Sequence, residues 1–128
     1  MNVVDSSAWL EYFGDGANAS EFASAIEDTA ELVVPSLTLF EVFKRTCVIA
    51  NEATALEEMG VMLQGTVVDL TAELALEAAR LSFDTGLALA DSIILATARL
   101  AGATLWTQDA HFDGMDGVQF RAKPASAD

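Results

Sequence analysis

Four acidic residues lie where a carboxylate needs a specific partner. Asp5 and Asp109 each follow a short apolar run, and Glu41 and Asp91 each interrupt a longer apolar segment with helical spacing. Burial of an unpaired carboxylate costs free energy, so each of these acids is expected to contact a cation or a hydrogen-bond donor. They are therefore candidate site residues, provided that the fold brings them together.

Short apolar strands alternate with helices along the chain. Strands are predicted at residues 3–4, 32–34, 67–68, 104–106 and 118–120, the last at a sheet edge. Helices are predicted near residues 9–13, 18–28, 36–51, 52–64, 71–85 and 87–101, with Asn18 or Ser20 and also Ser36 as N-caps. This alternation is typical of a three-layer α/β/α protein, with a mostly parallel central sheet of four or five strands and helices on both faces.

A parallel sheet of this kind would place two of the acids together. Asp5 immediately follows the first strand, and Asp109 lies just past the strand at residues 104–106. The carboxyl ends of parallel strands meet at one edge, and α/β sheets bind their ligands beyond that edge. The pair is therefore a candidate site on topology alone.

Length and composition limit the class of protein. With 128 residues, the chain is predicted to form a single domain over residues 1–128, with residues 121–128 as a frayed tail. It is 52% hydrophobic with a mean hydropathy of +0.35, which is more apolar than a small domain needs. Some of that apolar surface is expected to meet a partner.

The charge balance argues against a general nucleic-acid-binding protein. Six Lys/Arg residues against twenty Asp/Glu residues give a net charge of −14, which repels nucleic acid at long range. Carboxylates that converge on divalent cations would reverse this repulsion locally, because a bound metal is the largest charge in its site. The acidity therefore weakens a nuclease function without excluding it.

The cysteine content and the N-terminus predict a soluble cytoplasmic protein. Cys47 is the only cysteine, so no intrachain disulfide can form. The first residues lack the basic start and long apolar run of a signal peptide, and no stretch approaches the roughly 20 apolar residues of a membrane span. No membrane association is expected.

The acids and their neighbours resemble the PIN-domain family, and in particular its VapC-type toxins. The resemblance lies in four segments taken in order: Val-Val-Asp-Ser-Ser at 3–7, Glu41 in a helix, Ala-Asp-Ser-Ile-Ile-Leu-Ala-Thr-Ala at 90–98, and Leu-Trp-Thr-Gln-Asp-Ala-His-Phe at 105–112. Each segment is weak alone, but together they span nearly the whole chain. The resemblance implies a PIN-like fold and a metal-dependent endoribonuclease.

The resemblance also implies the residues of the site. Asp5, Glu41, Asp91 and Asp109 would be both the catalytic acids and the ligands of one or two Mg²⁺ or Mn²⁺ ions, which favour oxygen ligands. One ion would activate a water for attack on the scissile phosphate, and the ions would neutralise the developing charge. Hydroxyl groups are common near the acids of this family, and the supporting residues that supply them here would be Ser7 and Thr107.

Other interpretations remain open for individual residues. Asp5 has the setting of a helix N-cap, Asp91 favours the positive start of its helix, and Glu41 has two basic neighbours one turn away. Those neighbours, Lys44 and Arg45, are the adjacent basic pair expected to contact RNA phosphates, with surface salt bridges as the alternative. The sole histidine, His111, is interpreted as a surface or loop-packing residue.

An aromatic cluster in the first two helices has two interpretations. Trp9, Tyr12, Phe13 and Phe22 either pack in the core or line an apolar groove for a partner helix. The resemblance implies such a groove for a VapB-like antitoxin, whose basic segment a chain of charge −14 would attract. It also implies a homodimer.

Three other classes of protein are alternatives to a toxin. A non-catalytic PIN-like or receiver-like module would bind a cation for structure or signalling, but a receiver is expected to have a lysine after its last strand, and none follows Trp106 before Lys123. A haloacid-dehalogenase-like phosphatase would have a second aspartate at position 7, where this chain has Ser7. A housekeeping PIN nuclease without an antitoxin stays open.

Overall fold

One sheet lies at the centre of the chain. The structure is a computed structural model and describes residues 1–124. Within them the strands are β1 (Asn2–Val4), β2 (Leu32–Pro35), β3 (Thr66–Val68), β4 (Thr104–Thr107) and β5 (Val118–Phe120). Their order is β3-β2-β1-β4-β5, and every neighbouring pair is parallel.

Six helices connect the described strands. They are α1 (Ser6–Phe13), α2 (Ala19–Glu27), α3 (Ser36–Ile49), α4 (Glu52–Met62), α5 (Ala72–Thr85) and α6 (Leu89–Leu100). Short 3-10 turns follow α2 at Thr29–Glu31 and β4 at Ala110–Phe112. Parallel strands require such crossover connections, so the alternation of elements follows from the topology.

Helices cover both faces of the sheet. Val4 packs with Ala8, Phe22 and Met62, in a cluster to which α1, α2, α3 and α4 contribute. The adjacent Val3 packs with Ile94 of α6 in a second cluster, because successive strand residues point to opposite faces. The two buried faces explain the continuous apolar runs of the strands. The three-layer α/β/α fold predicted from the sequence is confirmed.

The strand order creates a crevice between β1 and β4. From β1 the chain moves outward through β2 to β3, then returns to the other side of β1 to form β4 and β5. Strands that lead away from a common point in opposite directions leave an opening beyond their carboxyl ends, where α/β proteins bind ligands. Because α6 leads into β4, its first turn lies at this same edge.

One of the predicted helix caps is confirmed in position only, and another is wrong. Asn18 occupies the N-cap position of α2, but its side chain makes no capping hydrogen bond. Pro35 holds that position for α3, so Ser36 is the first helical residue and not the cap. Neither α2 nor α3 therefore has a side-chain hydrogen bond at its N-cap. The Asn18 side-chain amide instead donates to Gln108 and Ala122.

The chain beyond β5 remains hydrogen-bonded to the body. The Arg121 N–H donates to the Thr107 carbonyl over 2.9 Å, and the Ala122 carbonyl accepts from the Asn18 side chain over 3.0 Å. The predicted frayed tail also includes residues 125–128, which lie outside the described residues.

Over residues 1–124, no helix has by itself the length and apolar character that a membrane crossing requires. Helices α5 and α6 reach that length and composition only as a pair, which is bent by 114°.

Candidate active site

The four acids come from four separate elements and converge on the crevice beyond β1 and β4. Asp5 ends β1, Glu41 lies on α3, Asp91 lies in the first turn of α6, and Asp109 follows β4. The Asp5 backbone N–H still donates to the Trp106 carbonyl over 2.9 Å, so this acid is fixed to the neighbouring strand. Parallel pairing therefore joins the two acids that the sequence placed at one edge.

Two hydroxyl groups orient Asp5. Its Oδ2 accepts from Ser7 Oγ over 2.7 Å and from Thr107 Oγ1 over 2.9 Å, and the two hydroxyl oxygens lie 3.4 Å apart. Asp5 is 3% exposed and occupies the N-cap position of α1, but its side chain makes no capping bond. Its carboxylate is thus held toward the crevice and does not serve the helix.

Glu41 is held by a residue that the sequence did not indicate. Ser6 Oγ donates to Glu41 Oε1 over 2.7 Å, and Ser6 is itself buried. Among the described residues no ion pair joins Glu41 to Lys44 or Arg45, so the alternative of a local salt bridge is not observed. The position of Ser6 directly after Asp5 was the available signal.

His111 lies against two of the acids. Its Nδ1 is 3.3 Å from Asp91 Oδ2 and 3.3 Å from Asp109 Oδ1, while its side chain is 72% exposed. The backbone N–H of His111 donates to Asp109 Oδ1 over 3.0 Å, and the Asp109 N–H donates to Thr107 Oγ1 over 2.9 Å. The exposure agrees with a surface residue, but the sequence did not indicate the contact with the acids.

Burial and repulsion by neighbouring charges raise the pKa of three of the acids, Asp5, Glu41 and Asp91. Burial raises the pKa of Asp5 above its ordinary value, with the Asp109 charge adding to this and the Ser7 and Thr107 hydrogen bonds opposing it. Burial also raises the pKa of Glu41, and the charges of Asp5 and Asp91 raise it further against the Ser6 hydrogen bond. The carboxylates are thus close enough to act on one another's protonation.

Asp91 shows the same effect. Burial raises its pKa, the charges of Asp109 and Asp5 raise it further, and the contact with His111 opposes the rise. A carboxylate in the first turn of a helix is favoured by the helix dipole, yet burial and the neighbouring charges still raise the pKa of Asp91. The site therefore has unbalanced negative charge.

This arrangement fits a divalent cation. One ligand atom each from Asp91, Asp109 and His111 lie within 4.8 Å of one another. Ligand atoms of an ion bound at about 2.1 Å lie up to about 4.2 Å apart, so a small side-chain adjustment would suffice. Asp5 and Glu41 lie outside that closest group but add carboxylate oxygens beside it, and oxygen-rich sets suit Mg²⁺ and Mn²⁺.

The basic pair on α3 is free to contact a ligand. Lys44 and Arg45 are both exposed and begin the turn that follows Glu41. Lys44 Nζ lies 5.8 Å from the centroid of the exposed Phe40 ring. The structure therefore places two cations on the helix that supplies one of the acids.

The predicted aromatic groove requires a correction. Trp9 is 0% and Phe22 is 1% exposed, and both belong to the core cluster beneath α1 and α2. The Trp9 ring stacks on Phe13 with centroids 5.5 Å apart, and Tyr12 meets Phe13 edge-on at 5.7 Å. Because α1 and α2 pack directly on the sheet, Trp9 and Phe22 are core residues and line no open groove. Tyr12 and Phe13 are half-buried at the margin of the core cluster.

Comparisons with known proteins agree with this architecture. A family model described as "PIN domain" matches residues 3–118. No curated protein matches the chain in sequence.

Solved structures with similar folds include several toxins and toxin–antitoxin complexes. A toxin–antitoxin complex from Klebsiella pneumoniae is 21% identical, with a TM-score of 0.83 over 97% of this chain and 100% of the other. The toxin VapC20 of Mycobacterium tuberculosis, described as cleaving the sarcin–ricin loop, is 17% identical, with a TM-score of 0.75 over 91% and 95%. DNA-bound VapBC from Salmonella typhimurium is 15% identical, with a TM-score of 0.72 over 94% and 96%. At these identities the likeness establishes the fold.

Proposed function

This chain belongs to the PIN domain family, and on that premise we propose that it is a Mg²⁺- or Mn²⁺-dependent endoribonuclease, the toxin of a VapBC-type toxin–antitoxin pair. The observation that carries the proposal is the cluster of Asp5, Glu41, Asp91 and Asp109. Four acids far apart in sequence meet at the crevice where α/β sheets bind ligands.

The cluster lacks the partners that a structural role would require. Among the described residues no lysine or arginine pairs with any of the four acids, and His111 is the one basic side chain in contact with them. Burial and repulsion raise the pKa of three of them, which opposes folding in the charged form. Carboxylates with raised pKa values that share a crevice are typical of functional sites.

The residues of the chain have distinct roles in this proposal. Asp5, Glu41, Asp91 and Asp109 would hold the cations, with Ser7 and Thr107 fixing the orientation of Asp5 and Ser6 fixing that of Glu41. When bound, the ions would supply an activated water and neutralise charge on the phosphate during hydrolysis. Lys44 and Arg45 would hold RNA phosphates beside the acids. No protein nucleophile is required.

The likeness to toxin–antitoxin complexes supports a protein partner, and we propose a homodimer beside it from the sequence resemblance. The Klebsiella structure is described as a toxin–antitoxin complex, and the Salmonella structure as DNA-bound VapBC. We extend this to a VapB-like antitoxin for this chain. The −14 charge would attract a basic antitoxin segment, but burial of Trp9 and Phe22 leaves them no part in an open groove.

Cleavage of purified tRNA and rRNA tests the proposal. The wild-type protein is expected to cut one of these RNAs in Mg²⁺ or Mn²⁺ and to stop in EDTA, and Asp91→Asn is expected to lose at least about a hundredfold in rate because a metal ligand is lost. Glu57→Gln removes an equal charge from an exposed site on α4 and is the matched control. Full activity of Asp91→Asn would refute the site assignment.

A further inference from the structure

A cavity of about 460 Å³ opens beside the acid cluster, on the side away from α3. We call it the Lys123 cavity. It is lined by Ser7, Gln108, Asp109, Phe120, Ala122 and Lys123. Its volume lies in the range of small-ligand sites, and Ser7 and Asp109 also belong to the candidate active site. A ligand in this cavity would therefore lie next to the acids.

Two buried amide side chains hold the wall of the cavity in place. Asn18 is 4% and Gln108 is 7% exposed. Asn18 Nδ2 donates to Gln108 Oε1 over 3.1 Å and to the Ala122 carbonyl over 3.0 Å, and Gln108 Nε2 donates to the Ser7 carbonyl over 3.4 Å. These bonds tie the segment after β5 to the start of α1, so the cavity is a built feature and not a gap beside a loose end.

The turn between α1 and α2 is arranged to release the Asn18 side chain for this task. Glu11 Oε2 accepts the Asn18 backbone N–H over 2.9 Å. A Cβ at Gly16 would collide with the Glu11 carboxylate, so glycine is what allows that approach. Glu11 therefore fixes the Asn18 backbone, and from that position the side-chain amide donates to Gln108 and Ala122.

The lining combines the groups that bind a nucleotide. Lys123 is exposed and offers a cation for a phosphate. Phe120 is half-buried, yet among the described residues it belongs to none of the core clusters, so its ring is available for stacking on a base. The Ser7 hydroxyl and the Gln108 amide are already hydrogen-bonded within the protein, so Lys123 and Phe120 are the groups that would contact the ligand.

The distribution of basic residues supports a strand of nucleic acid across the acids. The chain has six Lys/Arg residues. Lys44 and Arg45 lie on α3 beside Glu41, and Lys123 lines the cavity, whereas Arg121 pairs with Glu21 of α2 over 3.6 Å. In a protein of net charge −14, cations on both sides of a carboxylate cluster mark a path for a polyanion.

We propose that the Lys123 cavity binds one nucleotide of single-stranded RNA beside the scissile phosphate, with Phe120 stacking on its base and Lys123 contacting its phosphate. This rests on the proposed ribonuclease function and assigns a substrate subsite within it. Stacking on an aromatic side chain tolerates every base, so the subsite would require an unpaired nucleotide more than a particular sequence.

The test is fluorescence anisotropy of a labelled single-stranded RNA with Ca²⁺ in place of Mg²⁺, the RNA being checked as intact by gel. Lys123→Ala is expected to weaken binding several-fold and to lower the slope of log affinity against log salt by about 0.7, the value for one phosphate contact on a single strand. Phe120→Ala is expected to weaken binding about tenfold with the slope unchanged. Lys123→Arg should retain both the affinity and the slope.

The controls match each variant in chemistry. Arg80→Ala removes one positive charge from α5, where Arg80 pairs with Glu77 beside the second half of α6. Phe83→Ala removes a ring that is 91% exposed on the same helix. Both are expected to bind RNA within about twofold of wild type. Should Phe120→Ala fail to fold, Phe120→Leu keeps an apolar side chain while removing the stacking face.

The outcomes separate this inference from the function on which it rests. A wild-type protein that cuts RNA, with Lys123→Ala and Phe120→Ala unchanged in affinity and slope, would overturn the subsite and leave the ribonuclease standing. Equal losses in the variants and the controls would also overturn it, since bulk charge or stability would then explain them. Variants that keep RNA affinity but lose a co-purifying protein partner would assign the cavity to that partner. A wild-type protein that neither binds nor cuts RNA would refute both proposals.

Discussion

The environment of Asp5 joins three parts of the chain at one carboxylate. Its backbone is bonded to β4, one hydroxyl comes from α1, and the other comes from the last residue of β4. These hydrogen bonds favour the charged form, but burial outweighs them and raises the pKa. The residue is therefore held in place by bonds that do not fully compensate the cost of its charge.

Asp5→Asn is expected to raise stability at neutral pH in the absence of metal. A folded pKa above the ordinary 3.8 means that the folded state binds more protons, so stability falls as the pH rises from about 3.8 through the folded pKa. The amide removes that loss, so Asp5→Asn is expected to have a higher free energy of unfolding than wild type at neutral pH. Thermal melts in EDTA between pH 3.5 and pH 8 measure it.

The control for this prediction is Glu57→Gln, which removes one charge from an exposed position of α4. It is expected to change the melting temperature little at any pH. The difference between Asp5→Asn and wild type should shrink toward the acid end of the range, where the wild-type carboxyl is protonated in both states. A difference that grows as the pH falls would contradict the account of Asp5.

At the scale of elements, α6 is the support of Asp91. Every residue from Ser92 to Ala98 is buried, and Asp91 lies one residue before this stretch, in the first turn. The helix is enclosed between α5 and the sheet, so its packing fixes the position of the acid at the carboxyl edge. Asp91 therefore depends on the core beneath it.

Ile94→Ala tests that dependence. Ile94 is 0% exposed, and truncation of a buried isoleucine costs about 2–5 kcal/mol through lost transfer free energy and the cavity left behind. Denaturant unfolding measures the cost, and Leu100→Ala, at a residue 53% exposed on the same helix, is expected to cost under about 1 kcal/mol. Equal costs at the two positions would show that α6 is not fixed by its buried face.

The elements were predictable because their signals are local. Apolar runs of strand length and apolar residues at helical spacing predicted the strands, the helices and the layered fold. The topology rule then placed Asp5 and Asp109 together. These signals depend on residues within a few positions of each other, and the layered fold that they predicted is confirmed.

The rest depended on contacts between distant residues. The bond between Asn18 and Gln108 joins positions 90 residues apart, and no spacing rule indicates it. The burial of Trp9 and Phe22 follows from the way α1 and α2 pack on the sheet, which an aromatic cluster in sequence does not specify. Likewise, His111 meets Asp91 only because α6 and β4 share an edge.

At the scale of the whole molecule, the basic residues are unevenly distributed over an acidic chain. The net charge is −14, yet three of the six basic residues (Lys44, Arg45, Lys123) lie on segments that flank the acid cluster and, among the described residues, form no ion pair. General acidity keeps polyanions away from most of the surface, while bound cations and these residues would attract them at one place. Bound cations and these basic residues would therefore allow an acidic chain to bind the proposed RNA substrate.

Salt should therefore act in opposite directions on the two proposed associations. Two subunits of charge −14 repel each other, so the homodimer is expected to tighten as salt rises from about 50 mM to about 500 mM, because screening shortens the range of repulsion. RNA binding is expected to weaken over the same range. Sedimentation equilibrium measures the first and anisotropy the second. A dimer that dissociates in salt would show that charge pairs hold it together.

We propose that the four acids form a metal-dependent cleavage site. Calorimetric titration of Mg²⁺ and Mn²⁺ into wild type and Asp91→Asn, followed on the same samples by cleavage of total tRNA and rRNA, tests it most directly. Wild type is expected to bind metal and cut RNA, and Asp91→Asn is expected to lose both together. Metal binding by wild type with no cleavage of any RNA would instead favour a non-catalytic binding module, and an Asp91→Asn protein that binds metal and cuts RNA at the wild-type rate would contradict the site itself.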